Sequence, residues 1–244
     1  MRVDSIALRL RSRSNMEAAD LGIRLCQSAA RSVYSSYLSV AVPVFALFLA
    51  TYEVSDWAAT FGIWMLKPWV DRTILFALSR AAFGQRTTPS DVWRAQRDVW
   101  WRQLLSTFTM RRLSPWRSVT QPVYQLEGLR GAALRKRVVQ IRRGQTGSGM
   151  LLTGVFNLVE LALMISVISL VVWLAPKGYE PDFDLLFTSG HATSTGLVIA
   201  ASYAAVVLFL EPFYVAGGFA LYLNRRAELE AWDIEQEFRR AFTQ

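Results

Sequence analysis

From Met150 to Ala175 the chain carries one charge, Glu160, in a run long enough to cross the hydrocarbon core of a bilayer, about 30 Å at 1.5 Å per residue. A run of that length confines the backbone to a helix, because inside lipid every peptide group must find its partner within the chain. Three further apolar stretches surround it. Tyr34–Val54 holds Pro43, which neighbouring helices can accommodate in a span. Trp57–Gly84 is interrupted by Lys67, Asp71 and Arg72. Thr195–Leu223 holds Glu211 and is rich in small residues that favour close helix contact. The fold class expected is all-α: a polytopic membrane protein with four transmembrane helices and a helical cytoplasmic layer.

Composition agrees with that class. Of 244 residues, 52% are hydrophobic, yet the net charge is +8. Apolar spans joined by basic cytoplasmic loops give this combination, so the basic excess is not read as nucleic-acid binding. One cysteine, Cys26, leaves no disulfide within the chain, and one histidine, His191, argues against a His/Cys metal site or a Ser-His-Asp arrangement. No P-loop, H-E-x-x-H or G-x-S-x-G motif occurs. The expectation is a protein that is not an enzyme and needs no cofactor or metal. No cleavable signal peptide is expected, since the first hydrophobic run begins only near Tyr34.

The chain divides into five regions. Residues 1–33 form a cytoplasmic segment in which Ser14 and Glu17 have capping-box spacing. The helix they start places Ala18, Leu21, Leu25, Ala29 and Val33 on one face, toward either the membrane surface or the protein's own cytoplasmic layer. Residues 34–84 hold spans one and two. In the second, a continuous helix kinked at Pro68 is the reading taken; the alternative is a short span ending near Lys67 and then an interfacial helix.

Residues 85–148 carry thirteen bases and three acids, which places them in the cytoplasm. Thr88-Pro89-Ser90-Asp91 opens a helix. Arg94, Arg97, Arg111 and Arg112, with Trp93, Trp100 and Trp101, suit the level of lipid headgroups. Pro115 and Pro122 bound an extended segment, and a second helix runs from about Tyr124 to Arg143, closed by Gly144. Residues 149–223 hold spans three and four, joined by an outer loop with Glu180, Asp182 and Asp184. Residues 224–244 form an amphipathic cytoplasmic tail, whose Arg225, Arg226, Glu228, Glu230, Trp232, Asp233 and Glu235 would dock a partner.

Lys67 lies ten residues into its span, about 15 Å, and Glu160 and Glu211 lie at similar depth. A lone charge there costs several kcal/mol, roughly 3 to more than 10. Lys67, Asp71, Arg72, Glu160 and Glu211 are therefore expected to form one intramembrane polar cluster, with Glu211 or Glu160 pairing to Lys67 or Arg72 and Lys67 able to reach Asp71 along its own helix. Two readings stand. The pairs fix helix order and register, or they line a proton or ligand path.

Four stretches carry a resemblance: EAADLGIRL, KPWVDRTILFALSRAAFG, MRRLSPWRSVTQPVYQLEGLRGAALRKR and EPFYVAGGFALYLNRRAELEAWDIEQEFRR. Together they resemble a family of uncharacterised bacterial inner-membrane proteins encoded beside MoxR-type AAA+ ATPases. The sequence departs from that pattern at Ala231, where glycine is expected. The helical organisation is also distantly similar to the membrane domain attached to some glycerophosphodiester phosphodiesterases; that domain lacks the catalytic barrel, so no site residues carry over. The resemblance implies a non-enzymatic subunit or scaffold of an envelope-associated assembly in the bacterial inner membrane; four spans with a basic inner stretch place both termini in the cytoplasm. Its partners would be membrane lipids, other inner-membrane proteins and a cytoplasmic AAA+ ATPase. The alternative is a small transporter or lipid-handling protein that uses the mid-membrane charges. A dry, fully paired cluster would suit the first, and a cavity or lateral groove reaching Lys67, Glu160 or Glu211 the second.

Overall fold

The computed structural model describes residues 13–51, 57–101, 114–175 and 193–230. Among them every regular element is helical: α1 (Asn15–Ser28), α2 (Ala30–Ala50), α3 (Ala58–Ala81), α4 (Pro89–Arg94), a π-helical turn (Arg97–Trp101), α5 (Arg117–Leu126), α6 (Gly131–Arg143), α7 (Thr146–Leu174) and α8 (Thr193–Glu230). Three are long and apolar enough to cross a membrane: α2, α7, and α8 from Gly196 onward. The N-terminal basic segment, the outer loop with Glu180, Asp182, Asp184 and His191, and the tail beyond Glu230 lie outside the described residues.

Helix α8 is the axis, and α1, α2, α3, α5, α6 and α7 all pack on it. Its small residues make this possible. A Cβ on Gly218 would stand 2.2 Å from Ser118 Cβ on α5, and one on Gly217 3.1 Å from Leu152 on α7. Helix α1 approaches as closely: a Cβ on Gly22 would stand 2.3 Å from the Ala216 carbonyl oxygen. Ser14 caps α1 by accepting from the Glu17 amide, as its spacing predicts. The buried face of α1 is Ala18, Gly22 and Cys26. The expected line through Leu21 and Leu25 is thus rotated by one position, because the smallest side chains allow the closest helix contact.

Helix α3 is a single helix that contains Pro68, in agreement with the continuous reading. From Lys67 to Ser79 nearly all of it is enclosed by protein. After its last residue, Ala81, the chain turns at Gly84, whose φ of 70° lets the Gln85 amide donate back to the Arg80 carbonyl at 3.0 Å. The Thr88–Asp91 capping box then starts α4.

Two expectations are corrected. The segment from Pro115 to Pro122 is not extended: α5 is helical through Pro122, whose missing amide is offset by the burial of Ser118, Val119, Pro122 and Val123. No single helix runs from Tyr124 to Arg143. Gly128 and Gly131, at φ 67° and 60°, separate α5 from α6. Helix α8 runs on past Leu223 to Glu230, 38 residues or about 57 Å in all.

Candidate functional site

Each wall of the site comes from a different helix. On α3, four-residue spacing sets Lys67 one turn before Asp71, both facing α8. Glu160 stands at the centre of α7, fourteen residues from either end (146 to 160 and 160 to 174), about 21 Å at helical rise. Helix α8 adds Glu211. Helix α5, seated against Gly218, adds Arg117 from its first position.

These five residues form one chain of ion pairs. Lys67 Nζ lies 2.7 Å from Glu160 Oε2 and 2.9 Å from Glu211 Oε2. Arg117 Nη2 lies 3.0 Å from Glu211 Oε1 and 3.2 Å from Asp71 Oδ2. Aromatic rings border both cations: the Tyr203 centroid is 5.9 Å from Lys67 Nζ, and the Tyr214 centroid is 5.4 Å from Arg117 Cζ. Such contacts favour a cation in a poorly solvated place. Asp71 is fully enclosed, and neither of its carboxylate oxygens receives a hydrogen bond.

The cluster is not sealed. A cavity of about 290 Å³ opens beside it, lined by Lys67, Arg117, Asn157, Glu160, Glu211 and Tyr214, with Trp64 and Phe156 as apolar walls. Glu160, with 19% of its side chain exposed, marks the open end; Glu211, at 4%, lies deeper.

The expected partners are partly realised. Lys67, Asp71, Glu160 and Glu211 come together. Arg72 does not pair with the glutamates as proposed: its guanidinium donates to the Trp100 carbonyl at 3.2 Å. Asp71 pairs with Arg117 rather than with Lys67. In the sequence Arg117 is one of the thirteen bases of residues 85–148. No local pattern singles it out from the basic residues around it, since its inward position depends on α5 docking against α8.

The headgroup-facing set also divides. Trp93, Arg94, Arg97 and Trp101 are exposed. Trp100 is a correction: it is 3% exposed, donates from Nε1 to Thr73 Oγ1 at 3.0 Å, and packs at a tilt against Trp69 and edge-to-face with Trp93. The π-helical turn rotates it inward, and its indole N–H needs a buried acceptor. Arg111 and Arg112 lie outside the described residues.

In the tail, Arg225 pairs with Glu228 and Arg226 with Glu230, each at 2.7 Å. Glu230 also meets Arg137 of α6, which binds Glu127 at 2.8 Å; Tyr222 donates to the same Glu127 at 2.8 Å. This second network locks α6 to the end of α8. Trp232, Asp233 and Glu235 lie outside the described residues. Among the described residues, no group of three or more His, Cys, Asp or Glu is arranged to hold a metal ion. Outside the membrane-crossing helices, burial pushes the Cys26 thiol up to about 12, which leaves it protonated and unreactive.

Fold and site together describe a helical protein with three membrane-length helices and a charged cavity lined from α3, α5, α7 and α8. No family model, curated protein or solved structure matches the chain.

Proposed function

We propose that this chain is a four-span protein of the bacterial inner membrane, with both termini cytoplasmic, that takes a small polar or lipid-derived ligand into an intramembrane cavity. Helix α3 serves as the fourth span. Its charges are enclosed by protein, so lipid would not meet them, and its exposed residues Trp57, Phe61 and Trp64 form an aromatic face suited to the bilayer interface.

One observation carries the reading: the cavity reaches Lys67, Glu160 and Glu211 at the middle of the bundle. Charges kept only for register would be best served by complete enclosure, because water or ligand space beside them weakens the pairing. A cavity near 300 Å³ with a few converging polar groups is the usual form of a small-molecule site.

The scaffold reading keeps a specific support. Arg135, Lys136, Arg142 and Arg143 are exposed on α6, which the second ion network holds rigidly to α8. Such a face suits anionic headgroups, at around 1 kcal/mol per well-placed base, or an acidic partner such as an AAA+ ATPase. The exposed Trp93, Arg94, Arg97 and Trp101 would lie at headgroup level.

Extraction into native lipid particles, with mass spectrometry of everything that co-purifies, separates the two. The ligand-handling reading expects one enriched small molecule or lipid, lost from Glu211→Gln while the protein still assembles. Stoichiometric recovery of another protein with no enriched ligand would overturn it in favour of the scaffold.

A further inference from the structure

Counting charge in the cluster leaves a remainder. Among the described residues joined by these ion pairs, Lys67 and Arg117 supply two positive charges, and Asp71, Glu160 and Glu211 supply three negative ones. An uncompensated charge among buried groups is strongly unfavourable, so one further positive charge belongs in the site.

The geometry marks where it resides. Asp71 and Glu211 converge on the same nitrogen, Arg117 Nη2, at 3.2 and 3.0 Å. Neither buried Asp71 oxygen receives a well-directed hydrogen bond, and Arg117 Nη2 meets Oδ2 only as an ion pair. Two carboxylates have no hydrogen to share; one proton turns one of them into a donor to the other. The charged and titratable groups around Asp71 are Tyr37 from α2, Lys67 on its own helix, Arg117 from α5, and Glu211 from α8; Glu160 of α7 with Tyr203 and Tyr214 of α8 complete the surround. Arg72, next to Asp71 in sequence, is directed to the Trp100 carbonyl.

Resting on the reading of the cavity as a ligand site, we propose that the cluster holds one exchangeable proton, carried on Asp71 against Glu211, and that an organic monocation entering the cavity takes its place. The proton passes from Asp71 through Glu211, which lines the cavity, to water, and Asp71 is left as a carboxylate. The ligand's charge then balances the three acids. Glu160 and Glu211 attract it, and the faces of Trp64, Phe156 and Tyr214 suit an ammonium group. Such a group could come from the amine headgroup of a lipid or from a free ammonium compound in water.

The test uses the full chain in phosphatidylglycerol nanodiscs. The probe is hexyltrimethylammonium, a permanent cation that brings no proton, with affinity measured by calorimetry from pH 6 to 8. Release of one proton per cation makes binding tighten about tenfold per pH unit. Asp71→Asn and Glu160→Gln each leave two cations facing two carboxylates, so each flattens this dependence and weakens binding. Glu160 is partly exposed, so its variant still reports if Asp71→Asn fails to fold. A flat profile in the native protein, or a slope that persists in both variants, overturns the proposal. Hexyl phosphate is the control: if it binds and the cation does not, the proton exchange fails while the ligand cavity stands; if neither binds, both fail. Discs that also hold phosphatidylethanolamine assign the source, since competition there identifies the lipid headgroup as the resident cation, and an unchanged affinity identifies the aqueous one.

Discussion

Arg117 faces Asp71 and Glu211 at once, and its removal is felt at both. Arg117→Ala leaves the buried Asp71 without its neighbouring cation and the Glu211 carboxylate dependent on Lys67 alone. Breaking a buried pair in this way costs about 3–5 kcal/mol. The thermal midpoint of the purified protein should fall accordingly, and an unchanged midpoint would remove Arg117 from the core of the account. Cys26, with its thiol held near pKa 12 and no exposed surface, should resist maleimide until the protein unfolds. Rapid labelling of the native protein would mean that α1 does not sit against α8. Lys67, Glu160 and Glu211 were legible in the sequence because a charge inside an apolar run is conspicuous and its depth can be counted. Arg117 was not, because a base among bases shows nothing of the fold that turns it inward. Arg72 misled for the converse reason: depth alone does not say which way a side chain faces around its helix.

At the scale of elements, close helix approach sets the architecture. A Cβ added at Gly218 meets Ser118 within 2.6 Å at side-chain and backbone atoms, whereas one added at Gly154 meets nothing within 4 Å. Gly218→Ala should therefore destabilise by about 1–3 kcal/mol through overpacking. Gly154→Ala should be neutral, or stabilising by up to about 1 kcal/mol through helix propensity. Equal midpoints for the two variants would contradict the α5–α8 contact. The α4 cap is pH-dependent. Hydrogen bonds from the Thr88 amide and hydroxyl hold Asp91 below the usual carboxylate range, so its contribution is present above the unfolded carboxylate pKa and fades as pH falls through the lowered folded value. Relative to the intrinsic rate, amide exchange in α4 should quicken as pH falls from the unfolded carboxylate pKa through the lowered folded one, and Asp91→Asn should lose that pH dependence. Helix starts were readable at Ser14 and Thr88 because capping is local chemistry. The helical state of α5 was not, because Pro122 argues locally against a helix that tertiary burial secures. The α5–α6 boundary was missed although Gly128 and Gly131 stand there, since the apolar spacing across them suggested one helix.

For the whole molecule, the apolar runs specified the class and the charges within them specified the interior. Helix α7 turns Leu158, Leu161, Ile165 and Leu170 outward. That surface is costly in water and ordinary in lipid. Helix α3 buries Lys67, Asp71 and Arg72 against protein, an arrangement that only the packing reveals. The cavity itself left no trace in the sequence, since space between helices is a property of their arrangement. The measurement that tests the central claim most directly is water access at mid-helix on α7. Single cysteines at Asn157, on the cavity wall, and at Leu158, on the outer face, are placed one residue apart at the same depth. The buried native Cys26 serves as a silent background. In membranes treated with a small charged thiosulfonate reagent, Asn157→Cys should be modified and Leu158→Cys spared. If both positions are spared, or both react alike, the charged cluster has no water-filled cavity beside it and the ligand-site account fails.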